Sequence, residues 1–131
     1  MAPSVIEPII QKSSGDCVIA AIAMVLGKPY VEVSQVAETI KPDPREKGIT
    51  IREAQTIAKK LVGRQFESIN PKATDTDLGS ETGVLYVRLG RDYHALVLFE
   101  GVIFNPADGL LWNLEAYLGN KKAHVVRLLK P

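Results

Sequence analysis

One cysteine, one histidine and one asparagine stand out in this chain of 131 residues. Cys17, the only cysteine, opens the apolar run CVIAAIAMVL, and Tyr93-His94 and Asn105-Pro106 follow far downstream. A thiol at a helix N-terminus is favoured in its thiolate form by the helix dipole and by unsatisfied N–H groups. A histidine on a separate strand can take the thiol proton, and an asparagine or aspartate further on can hold the imidazole. A nucleophile, a base that later serves as an acid, and a group that orients the base are what attack on an acyl carbon requires. Each residue also has a plainer use. Free cysteine is among the most buried residue types. A histidine in an apolar strand is commonly a satisfied core residue, and Asn-Pro is a turn signal. Their joint occurrence is what points to chemistry.

The elements around these residues can be read from pattern. The cluster Ser13-Ser14-Gly15-Asp16 reads as a loop ending in an N-cap, with Asp16 the capping residue. Cys17–Leu26 is apolar all round, which predicts a central, buried helix ended by Gly27, with Pro29 following. Val31–Ile40 places Val33, Val36, Ala37 and Ile40 on one helical stripe, and Lys41-Pro42-Asp43-Pro44 breaks it. Thr50 with Glu53 three residues on predicts a capping box and a third helix, whose apolar face is Ile51, Ala54, Ile57, Ala58 and Leu61 and which Gly63 closes. Gln65–Ile69 reads as a short strand and Asn70–Gly83 as a loop.

The second half changes period. Val84–Leu89, His94–Phe99 and Val102–Phe104 read as strands. Gly90-Arg91-Asp92 separates the first two, and Glu100-Gly101 reads as a two-residue hairpin turn between the others. The midpoint of that turn falls almost evenly between 94 and 105, which predicts His94 and Asn105 at similar height on neighbouring strands. Asn105–Gly109 is a strong turn, Asn113–Leu118 a short helix and His124–Leu129 a last strand. Helices first and an antiparallel meander second predict an α+β fold in one domain spanning 1–131. Asp108 reads as turn chemistry with Gly109 and stands in reserve for Asn105. His124 reads as structural, Trp112 with Tyr117 as packing at the core margin, and Tyr93 as shielding the imidazole or lining a cleft.

Composition narrows the function classes. The chain is 46% hydrophobic and 24% charged, with a formal net charge of +1, which predicts a globular protein with no electrostatic pull toward nucleic acid or anionic membrane. Its basic residues are scattered and read as solvated faces. A single cysteine excludes a disulfide framework and a cysteine-rich zinc site, and with only two histidines a metal centre is poorly supplied. No cofactor motif is present. The first residues lack a secretory-signal pattern, and Cys17–Leu26 is too short to span a bilayer. The expectation is a cytoplasmic protein, where a free thiol stays reduced.

Three patches carry a resemblance. They are Gln11-Lys12-Ser13-Ser14-Gly15-Asp16-Cys17 with the small-residue helix up to Gly27; Gly48-Ile49-Thr50 leading into the next helix; and Tyr93-His94-Ala95-Leu96-Val97-Leu98 with Val102-Ile103-Phe104-Asn105-Pro106. Together they resemble the papain-like cysteine peptidases, and within them the bacteriocin-processing, double-glycine leader peptidases and their standalone relatives. The resemblance implies a papain-like fold, a bacterial or phage setting and a peptide or protein substrate. It implies Cys17 as nucleophile, His94 as general base and acid, Asn105 as orienter, and Gln11 as a side-chain donor to the oxyanion beside the Cys17 backbone N–H. The chain departs from the family pattern at Val18, where Gly is usual, and at Asn105, where Asp is usual. The activity implied is a thiol hydrolase acting on a peptide or isopeptide bond through a thioester. A glutamine deamidase or acyl transferase would use the same residues, and a non-catalytic binding or regulatory module would keep the fold without the reaction.

Overall fold

The structure is a computed structural model that describes residues 7–13, 15–74 and 77–131. Ser14 of the predicted capping loop, residues 1–6 at the chain start and residues 75–76 of the predicted Asn70–Gly83 loop lie outside them. The architecture is α+β, with mixed helices and one antiparallel sheet. Helices α1 (Cys17–Leu26), α2 (Tyr30–Glu38), α3 (Pro44–Lys47) and α4 (Ile51–Val62) come first. Strand β1 (Glu67–Ile69), the one-turn α5 (Pro71–Thr74) and a 3₁₀ turn at Leu78–Ser80 follow. Then come β2 (Thr82–Leu89), β3 (Asp92–Phe99), β4 (Val102–Asn105), β5 (Leu110–Asn113), α6 (Leu114–Lys121) and β6 (His124–Lys130).

The predicted elements form where their punctuation says they should. All ten residues of α1 are buried, and Gly27 ends it in the left-handed conformation at φ 66°. Helix α4 carries the full capping box: Thr50 Oγ1 accepts the Glu53 N–H at 3.1 Å, and Glu53 Oε1 accepts the Thr50 N–H at 2.9 Å. It is the fourth helix rather than the third, because Pro44, the last residue of the predicted break, begins an extra turn, α3. The predicted Asn70–Gly83 loop likewise contains α5 and the 3₁₀ turn. Strand β5 was not anticipated; four residues between a turn and a helix are too few to show a period.

The sheet order is β1-β6-β2-β3-β4-β5, six strands in all. Strands β2 to β4 form the predicted meander and β5 extends it, while β6 returns beside β2 and brings β1 to its other edge. The β3–β4 connection is the predicted two-residue turn, with Phe99 opposite Val102 and positive φ at both Glu100 (49°) and Gly101 (86°). Alternation along the strands divides the core. Val84, Tyr86, Ala95, Val97 and Phe104 join the cluster formed by α1, α2 and α4. Leu85, Val87, Leu96, Leu98 and Ile103 join a second cluster with Tyr117 of α6. Trp112 and Tyr117 meet edge to face at 5.6 Å in that second cluster, the packing role expected of them.

Candidate active site

Cys17 is the first residue of α1, so its side chain sits where the helix leaves its first N–H groups unpaired. It lines a cleft of about 530 Å³ together with Val18, Gly48, Ile49, Tyr93 and His94. One wall comes from the start of α1, another from the Lys41–Ile51 stretch, and the third from β2, β3 and β6. The structure therefore brings Cys17 and His94 from remote parts of the sequence to one open surface.

The imidazole is held from both sides. His94 Nε2 lies 2.8 Å from Asn105 Oδ1, and on the other side the Cys17 side chain lies near enough to raise the ring's pKa. Asn105 is buried, and its Oδ1 also accepts the Ala107 N–H at 3.0 Å. A backbone N–H can only donate, so the oxygen of the amide, not its nitrogen, faces the ring. His94 Nε2 must then carry a proton, which leaves Nδ1 for the thiol. Burial pushes the His94 pKa down, but hydrogen bonds to Cys17 and Asn105, and the negative charge of Cys17 and Asp108, outweigh it and hold the ring above its ordinary value.

The predicted level pairing of His94 with Asn105 is displaced by two residues. The β3–β4 register runs Phe99↔Val102, Leu98↔Ile103, Val97↔Phe104, so its continuation sets Asn105 opposite Leu96. His94 and Asn105 are diagonal neighbours on one face, a spacing that side chains of this length bridge. The β3–β4 ladder stops at Val97, three residues short of His94, so β4 does not cover the His94 end of β3.

Asp16 has a different task from the one expected. It occupies the N-cap position, and its carbonyl accepts the Ala20 N–H at 3.0 Å, but its side chain makes no cap. The carboxylate turns back instead, accepting the N–H groups of Lys12 at 2.7 Å and Ser13 at 3.0 Å and the Tyr30 hydroxyl at 2.5 Å. It is fully buried, so these donors are what make its burial tolerable. Asp16 thus ties the segment before Cys17 to the start of α2. Gly15 ties the same segment to α3: its N–H donates to the Arg45 carbonyl at 2.9 Å, and a Cβ there would lie 2.6 Å from the Glu46 carbonyl oxygen.

Gln11 lies on this organised segment but is not among the residues lining the cleft. Its N–H donates to the Pro106 carbonyl at 2.9 Å, which fastens the segment to the turn after Asn105. Its Nε2 donates to the Ser13 carbonyl at 2.9 Å, while Oε1 is buried without a partner among the described residues. The amide expected to face an oxyanion therefore has one N–H committed to its own loop, because the Asp16 carboxylate has gathered Lys12 and Ser13 into a tight turn. Val18 is buried and contributes to the cleft wall. His124 lies exposed at the start of β6 and outside the cleft lining, and Tyr93 lines the cleft with 63% of its surface exposed.

Sequence reasoning missed the loop-building task of Asp16, the partner role of Tyr30 and the place of Lys41 and Lys47 on the cleft wall. The one available signal was position: both lysines flank the Pro42–Pro44 break beside the predicted helix start. Among the described residues, no group of three or more His, Cys, Asp or Glu side chains could hold a metal ion, and no helix is long and apolar enough to cross a membrane. A scan against protein-family models, a search of curated proteins and a search of solved structures each found no match.

Proposed function

We propose that the protein is a thiol hydrolase with a papain-like fold that cleaves a peptide or isopeptide bond. The observation that carries the reading is that Cys17 and His94 line one cleft while Asn105 Oδ1 holds His94 Nε2, which leaves Nδ1 as the ring atom available to the thiol. In this mechanism His94 Nδ1 takes the thiol proton and Cys17 Sγ attacks the acyl carbon. The tetrahedral oxyanion collapses to a thioester as His94 returns the proton to the leaving amine. A water then attacks the thioester, with His94 again as base, and releases acid and free thiol. In this reading the Cys17 backbone N–H at the start of α1 would donate to the oxyanion, and Gln11 would join it only if its amide turned from Ser13. A reduced, cytoplasmic setting suits this thiol. A glutamine deamidase or acyl transferase would differ only in what enters the cleft.

The commitment of the Gln11 amide to Ser13 favours a second reading, a non-catalytic papain-like module that binds or regulates. Alkylation of Cys17 by iodoacetamide separates the two. A paired thiol labels fast and with little pH dependence across neutrality, and Cys17→Ala abolishes both labelling and hydrolysis while leaving the fold intact, since alanine is a strong helix former. Slow labelling that follows an ordinary thiol profile, with Cys17→Ala unfolding the chain, would make Cys17 a core residue and end the hydrolase reading.

A further inference from the structure

The turn that follows Asn105 holds a carboxylate that the reaction above does not use. Asp108 Oδ2 accepts a hydrogen bond from Asn105 Nδ2 at 3.3 Å, and its other oxygen, Oδ1, accepts the Leu110 N–H at 2.8 Å. The Asn105 amide is thereby gripped at both ends, with its oxygen on the Ala107 N–H and its nitrogen on Asp108. One grip would leave the amide plane free to rotate about its side-chain bond; two grips define it. The turn itself is closed by the Gly109 N–H donating to the Asn105 carbonyl at 2.8 Å, so Asp108 and Asn105 belong to one rigid unit.

We infer that Asp108 is a positioning residue: its carboxylate fixes the Asn105 amide and, through it, the His94 tautomer that presents Nδ1 to Cys17. This rests on the Cys17–His94 pairing proposed above. Asp108 touches neither thiol nor imidazole in a hydrogen bond, so its action runs through Asn105 and through its negative charge. The titratable groups that act on His94 are Cys17 from α1 and Asp108 from the turn. Burial, followed by the charges of Asp108 and Cys17, raises the pKa of Tyr117 of α6, and burial, followed by those of Cys17 and Glu53, raises that of Tyr86 of β2, so both phenols stay neutral.

The test separates this role from a purely structural one. In a Cys17→Ala background, which removes coupling to the thiol, ¹⁵N NMR of the His94 ring reports both its tautomer and its titration. Asp108→Asn keeps an oxygen for the Leu110 N–H, so the turn persists, but it sets an NH₂ group against Asn105 Nδ2 and deletes the charge. The parent should show the Nε2–H tautomer. Asp108→Asn should weaken that preference and move the His94 titration to lower pH, with little change in thermal midpoint. An unchanged tautomer and titration in the folded variant would overturn the inference. If Asp108→Asn does not fold, Asp108→Ser, whose hydroxyl can serve the Leu110 N–H, carries the same expectation and the same refutation. Iodoacetamide labelling of the wild-type chain tests the pairing itself, so failure of the hydrolase reading and failure of the Asp108 assignment give different results.

Discussion

An imidazole that must take a proton from sulfur and return it to nitrogen works only if its two ring atoms are told apart. In the proposed reaction Asn105 does this, with an amide held by the Ala107 N–H and by Asp108. Losing the orienter does not remove the base, so Asn105→Ala should lower kcat/KM less than His94→Ala. The same substitution removes a contact that holds His94 protonated. The imidazolium is then lost at lower pH, so the alkaline limb of the activity profile should move down in Asn105→Ala. In the wild type that limb should lie above the ordinary histidine value of 6.5. A limb that stays in place would show that Asn105 does not act on the ring. That His94 would meet Asn105 and share a cleft with Cys17 was legible in the sequence because residue type, order and flanking turns restrict where they can lie together. Asp16 was misread for the opposite reason. An aspartate before a helix fits a cap and a loop tie equally well, and only the burial of its carboxylate among Lys12, Ser13 and Tyr30 distinguishes them.

At the scale of elements, the site depends on how α3 and the start of α4 are pressed against the loop that leads into α1. Gly15 is the closest approach. A methyl group there would meet Glu46 O at 2.6 Å and Arg45 O at 2.9 Å, both backbone atoms that cannot swing aside. Gly15→Ala should destabilise the fold by roughly 1–3 kcal/mol, the range for overpacking. It should also slow Cys17 alkylation at temperatures where circular dichroism is still native. Unchanged alkylation would mean that α3 yields without disturbing the cleft. On the far wall, Lys41 after α2 is joined to Glu53 of α4 at 3.2 Å and also donates to the Gly48 carbonyl at 3.1 Å. The Thr50 N–H, together with Lys41, holds the Glu53 carboxyl below its ordinary 4.5, despite the opposing effect of burial. A lowered carboxyl contributes stability above its unfolded pKa and loses it as pH falls through the folded value. Acid should therefore weaken the wild type below about pH 4.5, and Glu53→Gln should flatten that part of the stability curve. Equal acid slopes in urea titrations of the two chains would remove Glu53 from this account. The capping box was legible because Thr50 and Glu53 have fixed spacing, whereas the Lys41 contact joins elements the sequence does not relate.

For the molecule as a whole, Cys17 rides on the helical layer and His94 and Asn105 on the sheet, so the proposed reaction would depend on the spacing between layers. Helix α1 lies buried on every side, with Ile19, Ala20, Ala21, Ile22 and Val25 at 0% exposure. Its apolar run told the sequence reader that it is central. It did not reveal the order β1-β6-β2-β3-β4-β5, because the return of β6 beside β2 leaves no mark in local pattern. Nor did it reveal that the alternation of β3 sends Ala95 and Val97 toward α1 while Leu96 and Leu98 pack against the second core. A close-packed helix with no free face cannot accept a larger side chain without moving. Ala21→Leu adds volume with no exposed surface to receive it, so α1 must shift against the sheet or its neighbouring helices. The expected cost is roughly 1–3 kcal/mol of stability. Because Cys17 moves with the helix while His94 and Asn105 stay on the sheet, alkylation should lose its fast, pH-flat character before the chain unfolds. A variant that is destabilised yet labels like the wild type would show that the thiol–imidazole pair is set by the Gly15–Asp16 loop, independent of the packing of α1.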